Sequence, residues 1–480
     1  MNRRSFLTGL ATCGMAGCRS LRWFEETPRL RLGVVSDIHC QKLAEPGEDP
    51  FKVHNTATFE HALEHFREIG VDAVVIPGDL ANLGLISEME DVAKAWFRVF
   101  PGDRGKDGRK VERIIIYGNH DMGGYPWVRG RYKTEEEAKP FMLLTNREAA
   151  WERIWGEKYE PVFIKEVKGY KFVGAHWCSR GCTGRGERFN PYLAEFYGKH
   201  ADELKGTKPF FHVQHPHPKD TCYGPWAWGY DEGLSTAVLS QFPNAIALSG
   251  HSHYTPTDDR SVWQGAFTSI GCGCLRYQDI AGEEFAATGG FENGSTPSSP
   301  KAKELNAAKL MSKLDLSRDR TGLVMDVYDD RLVIERRDFV NDVKLGDDWV
   351  VPLPAGTGGP MDFAVRKSKA PVPRFAADAK IERTEGWSSF RGSKEKLAVK
   401  SVSFPAAVAA DGTRAYRYVV RITDAAGVPV AEKNVVAPDF CRAKSFPNER
   451  ISCPFAAIPS DARITVTPYN VFGASGPDLN

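Results

Sequence analysis

The chain has 480 residues, with 63 lysines and arginines against 62 aspartates and glutamates, for a formal net charge of +1. That length gives room for two or three domains, each able to bury a core. A charge balance this even leaves no basic field for nucleic acid.

In chain order, the N-terminus comes first. Asn2-Arg3-Arg4-Ser5-Phe6-Leu7 leads into a weakly apolar run ending at Gly17, far shorter than the ~20 residues a membrane span requires. The segment resembles a twin-arginine export signal, and Met15-Ala16-Gly17-Cys18 resembles a bacterial lipobox. The resemblance implies a signal peptide over residues 1–17, a tether over 18–29, and a lipid anchor on Cys18. The protein is then expected outside the cytoplasm, periplasmic or at the cell surface.

Leu30 to Val35 reads as a strand and ends at Asp37-Ile38-His39. Phe59, Ala62, Leu63, Phe66 and Ile69 recur at helical spacing, and Gly70 stands where a helix C-cap glycine belongs. Val71 to Pro77 is a second strand and ends at Gly78-Asp79. Arg113 to Tyr117 runs into Gly118-Asn119-His120-Asp121, Pro209 to Val213 into His215, and Ala245 to Leu248 into Gly250-His251-Ser252-His253. Sheets built from strand, helix, strand units gather ligands at the carboxyl ends of their strands. Five separate segments can then converge on one site.

Between these strands lie loops with less to say. An insertion from Met122 to Tyr159 carries Trp127, Arg129, Arg131 and Tyr132, and Cys222 to Tyr230 carries Trp226 and Trp228. The two tryptophans form either a lid over a planar group or a packed aromatic loop, and packing is the commoner use of the residue. Arg180, Arg185 and Arg188 are either phosphate contacts or solvated side chains. Gly322 to Tyr328 and Arg331 to Phe339 form a hairpin turning at Asp329-Asp330. Gly346 to Phe375, rich in glycine and proline, reads as a linker. Tyr416, Tyr418, Val420 and Ile422 alternate with Arg417, Val419, Arg421 and Thr423, and Ile464 to Thr467 alternates again. Residues 376–480 therefore read as a small β-sandwich, whose last strand resembles that of fibronectin type III domains.

The polar blocks supply carboxylates, imidazoles and an amide oxygen, a donor set that suits Mn, Fe or Zn. Seven such donors exceed what one tetrahedral ion takes and suit two ions sharing a bridging carboxylate. In this order the blocks resemble the signature of the calcineurin-like metallophosphoesterases over roughly residues 30–345. The resemblance implies an α/β fold, a two-sheet β-sandwich flanked by helices. It also implies hydrolysis of phosphoester bonds by a hydroxide held on two metal ions. By the same resemblance Asp37, His39, Asp79 and His253 hold one ion, while Asp79, Asn119, His215 and His251 hold the other. His217 stays open as an alternative to His215. His120 is the implied acid for the leaving oxygen, with Asp121 orienting it. Cys40, beside His39, reads as a small buried hydrophobe.

Gly78-Asp79-Leu80-Ala81-Asn82 lacks the Asp-Arg pair of the protein serine/threonine phosphatases, which points to small-molecule phosphodiesters or monoesters. The alternative reading is an exported lipoprotein with a non-catalytic metal site and a β-sandwich for a surface partner or glycan. Eight cysteines follow Cys18. An even number permits disulfides after export, with Cys441 and Cys453 the expected pair.

Overall fold

The computed structural model describes residues 26–178, 189–224, 229–279, 319–389, 396–437, 440, 450–455 and 457–480. The export and lipobox segment, Arg180, Arg185, Arg188, Trp226, Trp228 and Cys441 lie outside the described residues. None of the described helices is long and apolar enough to cross a membrane.

The strands of the first part are, in chain order, β1 (Leu30–Val34), β2 (Ala73–Ile76), β3 (Glu112–Ile115), β4 (Val162–Val167), β5 (Tyr170–Ala175), β6 (Phe210–Val213), β7 (Ala245–Ser249), β8 (Val262–Gln264), β9 (Thr268–Gly271), β10 (Thr321–Val327), β11 (Arg331–Asp338), β12 (Val343–Lys344) and β13 (Trp349–Pro352). One sheet has the order β12-β11-β10-β1-β2-β3, with β13 also on β11, and the other β4-β5-β6-β7-β9-β8. β1, β2 and β3 are parallel, as are β5, β6, β7 and β9. Parallel strands need both faces covered, and side-chain alternation shows what covers them. Leu30, Leu32, Val34, Ala73, Val75 and Ile114 meet Phe172, Phe211, Val213, Ile246 and Leu248 between the sheets. Val74, Ile76 and Ile115 instead pack outward against Phe59, Leu63, Phe66, Met89, Val92 and Trp96. The fold is a two-sheet α/β sandwich with helices on its outer faces.

Helix Ala57–Ile69 forms on the expected stripe, burying Phe59, Ala62, Leu63 and Phe66, and ends at Gly70 in the left-handed region with φ 72°. Burying each of the larger side chains contributes about 2 kcal/mol. β10 and β11 pair as the expected antiparallel hairpin, from Thr321↔Asp338 to Val327↔Leu332.

Two parts of the stretch read as a linker are ordered elements. Trp349–Pro352 is β13 and pairs with β11 from Arg331↔Pro352 to Ile334↔Trp349. Trp349 and Val351 are buried while Val350 between them is 55% exposed, so one face of this strand extends the core. Phe363–Lys369 is a helix capped by the Asp362 carboxylate, which accepts from the amides of Ala364 and Val365. Arg366 on that helix donates to the Val262 carbonyl at 2.8 Å, tying it to β8.

Beyond it the described residues form only strands and loops: β14 (Glu382–Ser389), β15 (Lys396–Pro405), β16 (Arg417–Thr423), β17 (Pro429–Val436), β18 (Arg450–Phe455) and β19 (Arg463–Tyr469). They make two three-stranded antiparallel sheets, β14-β15-β18 and β17-β16-β19. Tyr416, Tyr418, Val420, Ile422 and Val466 fill a core of their own with Val402 and Phe404. The Arg260 guanidinium, buried and paired with Asp258 at 2.7 Å, lies 5.0 Å from the Tyr416 ring and joins this part to the first. Cys453 is a free buried thiol.

Candidate metal centre

Each polar block stands just past the carboxyl end of a strand: Asp37 and His39 after β1, Asp79 after β2, Asn119 and His120 after β3, His215 after β6, His251 and His253 after β7. Asp37, His39, Asp79, His251 and His253 have φ between 47° and 70°. Residues other than glycine enter that left-handed region at a cost of about 1 kcal/mol each or more. The turned backbone takes their side chains out of strand alternation and aims them at one place. Close approach completes the arrangement, because a Cβ on Gly118 would collide with the Asp79 carboxylate and one on Gly250 with Ser36 and Asp37.

Two overlapping groups result. Asp37, His39, Asp79 and His253 each bring a ligand atom within 4.8 Å of the others, and so do Asp79, His215 and His251. Asp79 belongs to both. Its Oδ2 lies 3.4 Å from His39 Nε2 and 3.2 Å from His215 Nε2. His253 Nε2 is 3.1 Å from Asp37 Oδ1, and Asn119 Oδ1 is 2.9 Å from His215 Nε2. The seven residues expected as ligands are therefore in one place.

Their chemistry fits cations. His39 Nε2 and His253 Nε2 face each other at 3.1 Å, and the Nδ1 atom of each ring is buried with no hydrogen-bond partner. His215 Nδ1 donates to the Pro77 carbonyl at 2.6 Å, which fixes the tautomer and turns the Nε2 lone pair inward. Burial would raise the Asp37 and Asp79 carboxyls, yet the surrounding imidazoles hold both below the ordinary carboxylate range. The carboxylates act back on the rings. Burial opposes charge on His215, but Asp79 and Asp37 push it up to about 9, while burial takes His39 and His251 well below their ordinary values. A buried pocket whose two carboxylates stay ionised, lined with nitrogen and oxygen donors, suits a pair of divalent ions.

His120 and Asp121 separate. The His120 ring lies 4.3 Å from the His39 ring, and its Nδ1–H donates to the Asn82 carbonyl at 2.8 Å. Trp127 packs on it at 4.4 Å. Asp121 does not orient this ring. Its carboxylate is buried and accepts from the amides of Gly118 and Ala81, both at 2.7 Å, and of Leu80 at 3.2 Å. The His120 Nδ1–H goes to Asn82 instead, and through its three amides Asp121 fastens the loop after β2 to the loop after β3.

The other candidates fall outside the centre. His217 is held by the Ser249 and Ser252 hydroxyls at 2.7 and 2.6 Å. Cys40 is fully buried in the apolar core. Tyr132 stacks on Phe141, and Arg129 and Arg131 are exposed. Two neighbours were not anticipated. Tyr277 lies 4.3 Å from the His253 ring, and Arg276 donates to the Asn82 side chain. No motif marks either residue.

Residues 30–255 match the family model described as calcineurin-like phosphoesterase. Over this segment the chain is similar to the calcineurin-like phosphoesterases. Similar solved structures include a dimetal phosphatase from Danio rerio, at 11% identity over 68% of this chain and 99% of that one, with a TM-score of 0.37. A predicted phosphoesterase from Streptococcus pneumoniae matches at 13% identity over 67% and 97%, with a TM-score of 0.27. Vps29 complexed with zinc from Entamoeba histolytica matches at 10% identity over 67% and 99%, with a TM-score of 0.28. No curated protein sequence matches the chain. The matched segment holds every residue of the centre, from Asp37 to His253.

Proposed function

We propose that the chain is a two-metal hydrolase of small-molecule phosphoesters, either monoesters or diesters. The observation that carries this reading is Asp79, one carboxylate within reach of both ligand groups. Asp37, His39, Asp79 and His253 would hold one ion, and Asp79, Asn119, His215 and His251 the other. When bound, such a pair activates water as the nucleophile and neutralises charge on the phosphoryl oxygens.

The chain's own groups supply the rest. With Nδ1–H given to the Asn82 carbonyl, the Nε2 atom of His120 is left to carry a proton to the departing oxygen. Burial lowers this imidazole below its ordinary value, with Asp79 opposing, which makes the protonated ring a better acid. Trp127 covers it and limits the access of water. Asp121 keeps the two loops that bear Asp79 and His120 in register.

The test is metal content and turnover measured together. Protein reconstituted with Mn, Fe or Zn is assayed on aryl monoesters, aryl diesters, cyclic nucleotides and glycerophosphodiesters. Two ions per chain with hydrolysis of at least one class is the expected result. Two ions bound with no turnover of any class would leave a metal-binding surface protein instead.

A further inference from the structure

Beside the metal ligands stands a cation that the metal chemistry does not use. Arg276 donates through Nη1 to the Asn82 side-chain oxygen, and its Nε is buried without a partner. Among the described residues its guanidinium forms no ion pair with a carboxylate. The neutral amide that holds it leaves its charge uncancelled. A half-buried arginine in that state is expensive unless an anion visits it.

Its position is built from two sides. Asn82, whose side chain accepts from Arg276, also receives the His120 Nδ1–H on its backbone carbonyl, so one residue sets both groups. On the other side Arg276 lies 5.9 Å from the Tyr277 ring, which packs on the His253 ring at 4.3 Å. The segment that carries it is pinned to the ligand loop. Leu275 donates its amide to the Ser36 carbonyl at 3.0 Å, and the Cys274 thiol to the Asp37 carbonyl at 3.5 Å. Through Asn82 and Tyr277, Arg276 therefore stands beside both His120 and the metal ligand His253.

We propose that Arg276 is a phosphoryl-binding residue of this centre and that it favours phosphomonoesters over phosphodiesters. The inference rests on the proposed phosphoester chemistry and names its substrate class. A monoester dianion has three unesterified oxygens, so with one turned to the cations two remain, and a planar guanidinium can take them in two parallel hydrogen bonds. A diester carries one negative charge and has an alkyl or aryl group where one of those oxygens would be. It gains less from the arginine. Arg276 breaks and forms no bond and does not move the proton, which stays with His120.

The experiment uses metal-loaded wild type, Arg276→Ala and Arg276→Lys, with metal content checked for each. Binding of inorganic phosphate by titration calorimetry is the first readout and needs no turnover. The alanine variant is expected to keep both ions and bind phosphate about tenfold or more weakly, with lysine recovering part of the loss. In kinetics, KM for p-nitrophenyl phosphate should rise by a similar factor with a smaller change in kcat, as for a contact made in ground and transition states alike. KM for bis-p-nitrophenyl phosphate should change by less than about threefold. Unchanged phosphate affinity in a metal-replete alanine variant overturns the proposal, and equal losses on both esters overturn the preference for monoesters. Wild type that binds phosphate through Arg276 but hydrolyses neither ester would defeat the phosphoesterase reading while leaving Arg276 as an anion contact.

Discussion

His120 lies close enough to the cluster that its loss could be mistaken for loss of a ligand. The leaving group separates the two. A strongly acidic phenol departs without a proton, whereas an alkoxide does not. His120→Asn should keep both ions, lose ~10²–10⁴-fold on alkyl esters, and lose much less on p-nitrophenyl esters. Equal losses with ions retained would assign the ring to charge stabilisation, and loss of an ion would make it a ligand. The neighbouring Asp121 shows what adjacency in sequence does not reveal. Gly-Asn-His-Asp places a carboxylate next to an imidazole along the chain, but three backbone amides with no mark in the sequence claim that carboxylate. Arg276 was illegible for a similar reason. Its partner Asn82 lies 194 residues away, and only the fold brings the two together.

At the scale of elements, helix Ile86–Val99 sits directly behind the loop that carries Asp79 and Asn82. Its first turn is held by Glu88, whose Oε2 accepts from the amides of Leu83 at 2.8 Å and Leu85 at 3.3 Å, while Oε1 is buried without a partner. Burial pushes this carboxyl up from an ordinary 4.5 to about 7, against the pull of those amides. A raised carboxyl binds its proton more tightly folded than unfolded. Its contribution is therefore full below about pH 4.5 and is lost as pH rises to about 7. Relative to Glu88→Gln, wild type should lose up to about 3 kcal/mol across that window and nothing further above it. Urea unfolding at several pH values reads the difference, and a difference independent of pH would contradict the account. Helix 57–69 and the β10–β11 hairpin were legible because their signals are local: a stripe at helical spacing with a cap glycine, and two runs around an Asp-Asp turn. β13 was not. Glycine and proline dominate its surroundings, and its two buried side chains count as a strand only once β11 offers an edge to pair with.

In the whole molecule, the helix Phe363–Lys369 and the contact of Arg260 with Tyr416 join the two-sheet α/β part to the all-β part. We propose in addition that residues 2–18 carry an export signal and a lipid anchor, on their resemblance to a twin-arginine signal and a lipobox. Replacing Arg3 and Arg4 with lysine should leave precursor in the cytoplasm, and Cys18→Ser should release the protein from membranes without changing kcat. A Cys18→Ser variant that stayed membrane-bound after a salt wash would defeat the anchor, since a net charge of +1 gives no electrostatic substitute.

The central claim is that Asp79 ties two ligand groups into one reactive centre. Asp79→Ala removes the only carboxylate shared by both groups and leaves buried imidazoles without it. Metal content per folded chain, measured by elemental analysis on wild type and Asp79→Ala reconstituted side by side, tests it directly. The account predicts two ions in wild type, one or none in the variant, and hydrolysis only in the former. Two ions retained by a folded Asp79→Ala protein would contradict it.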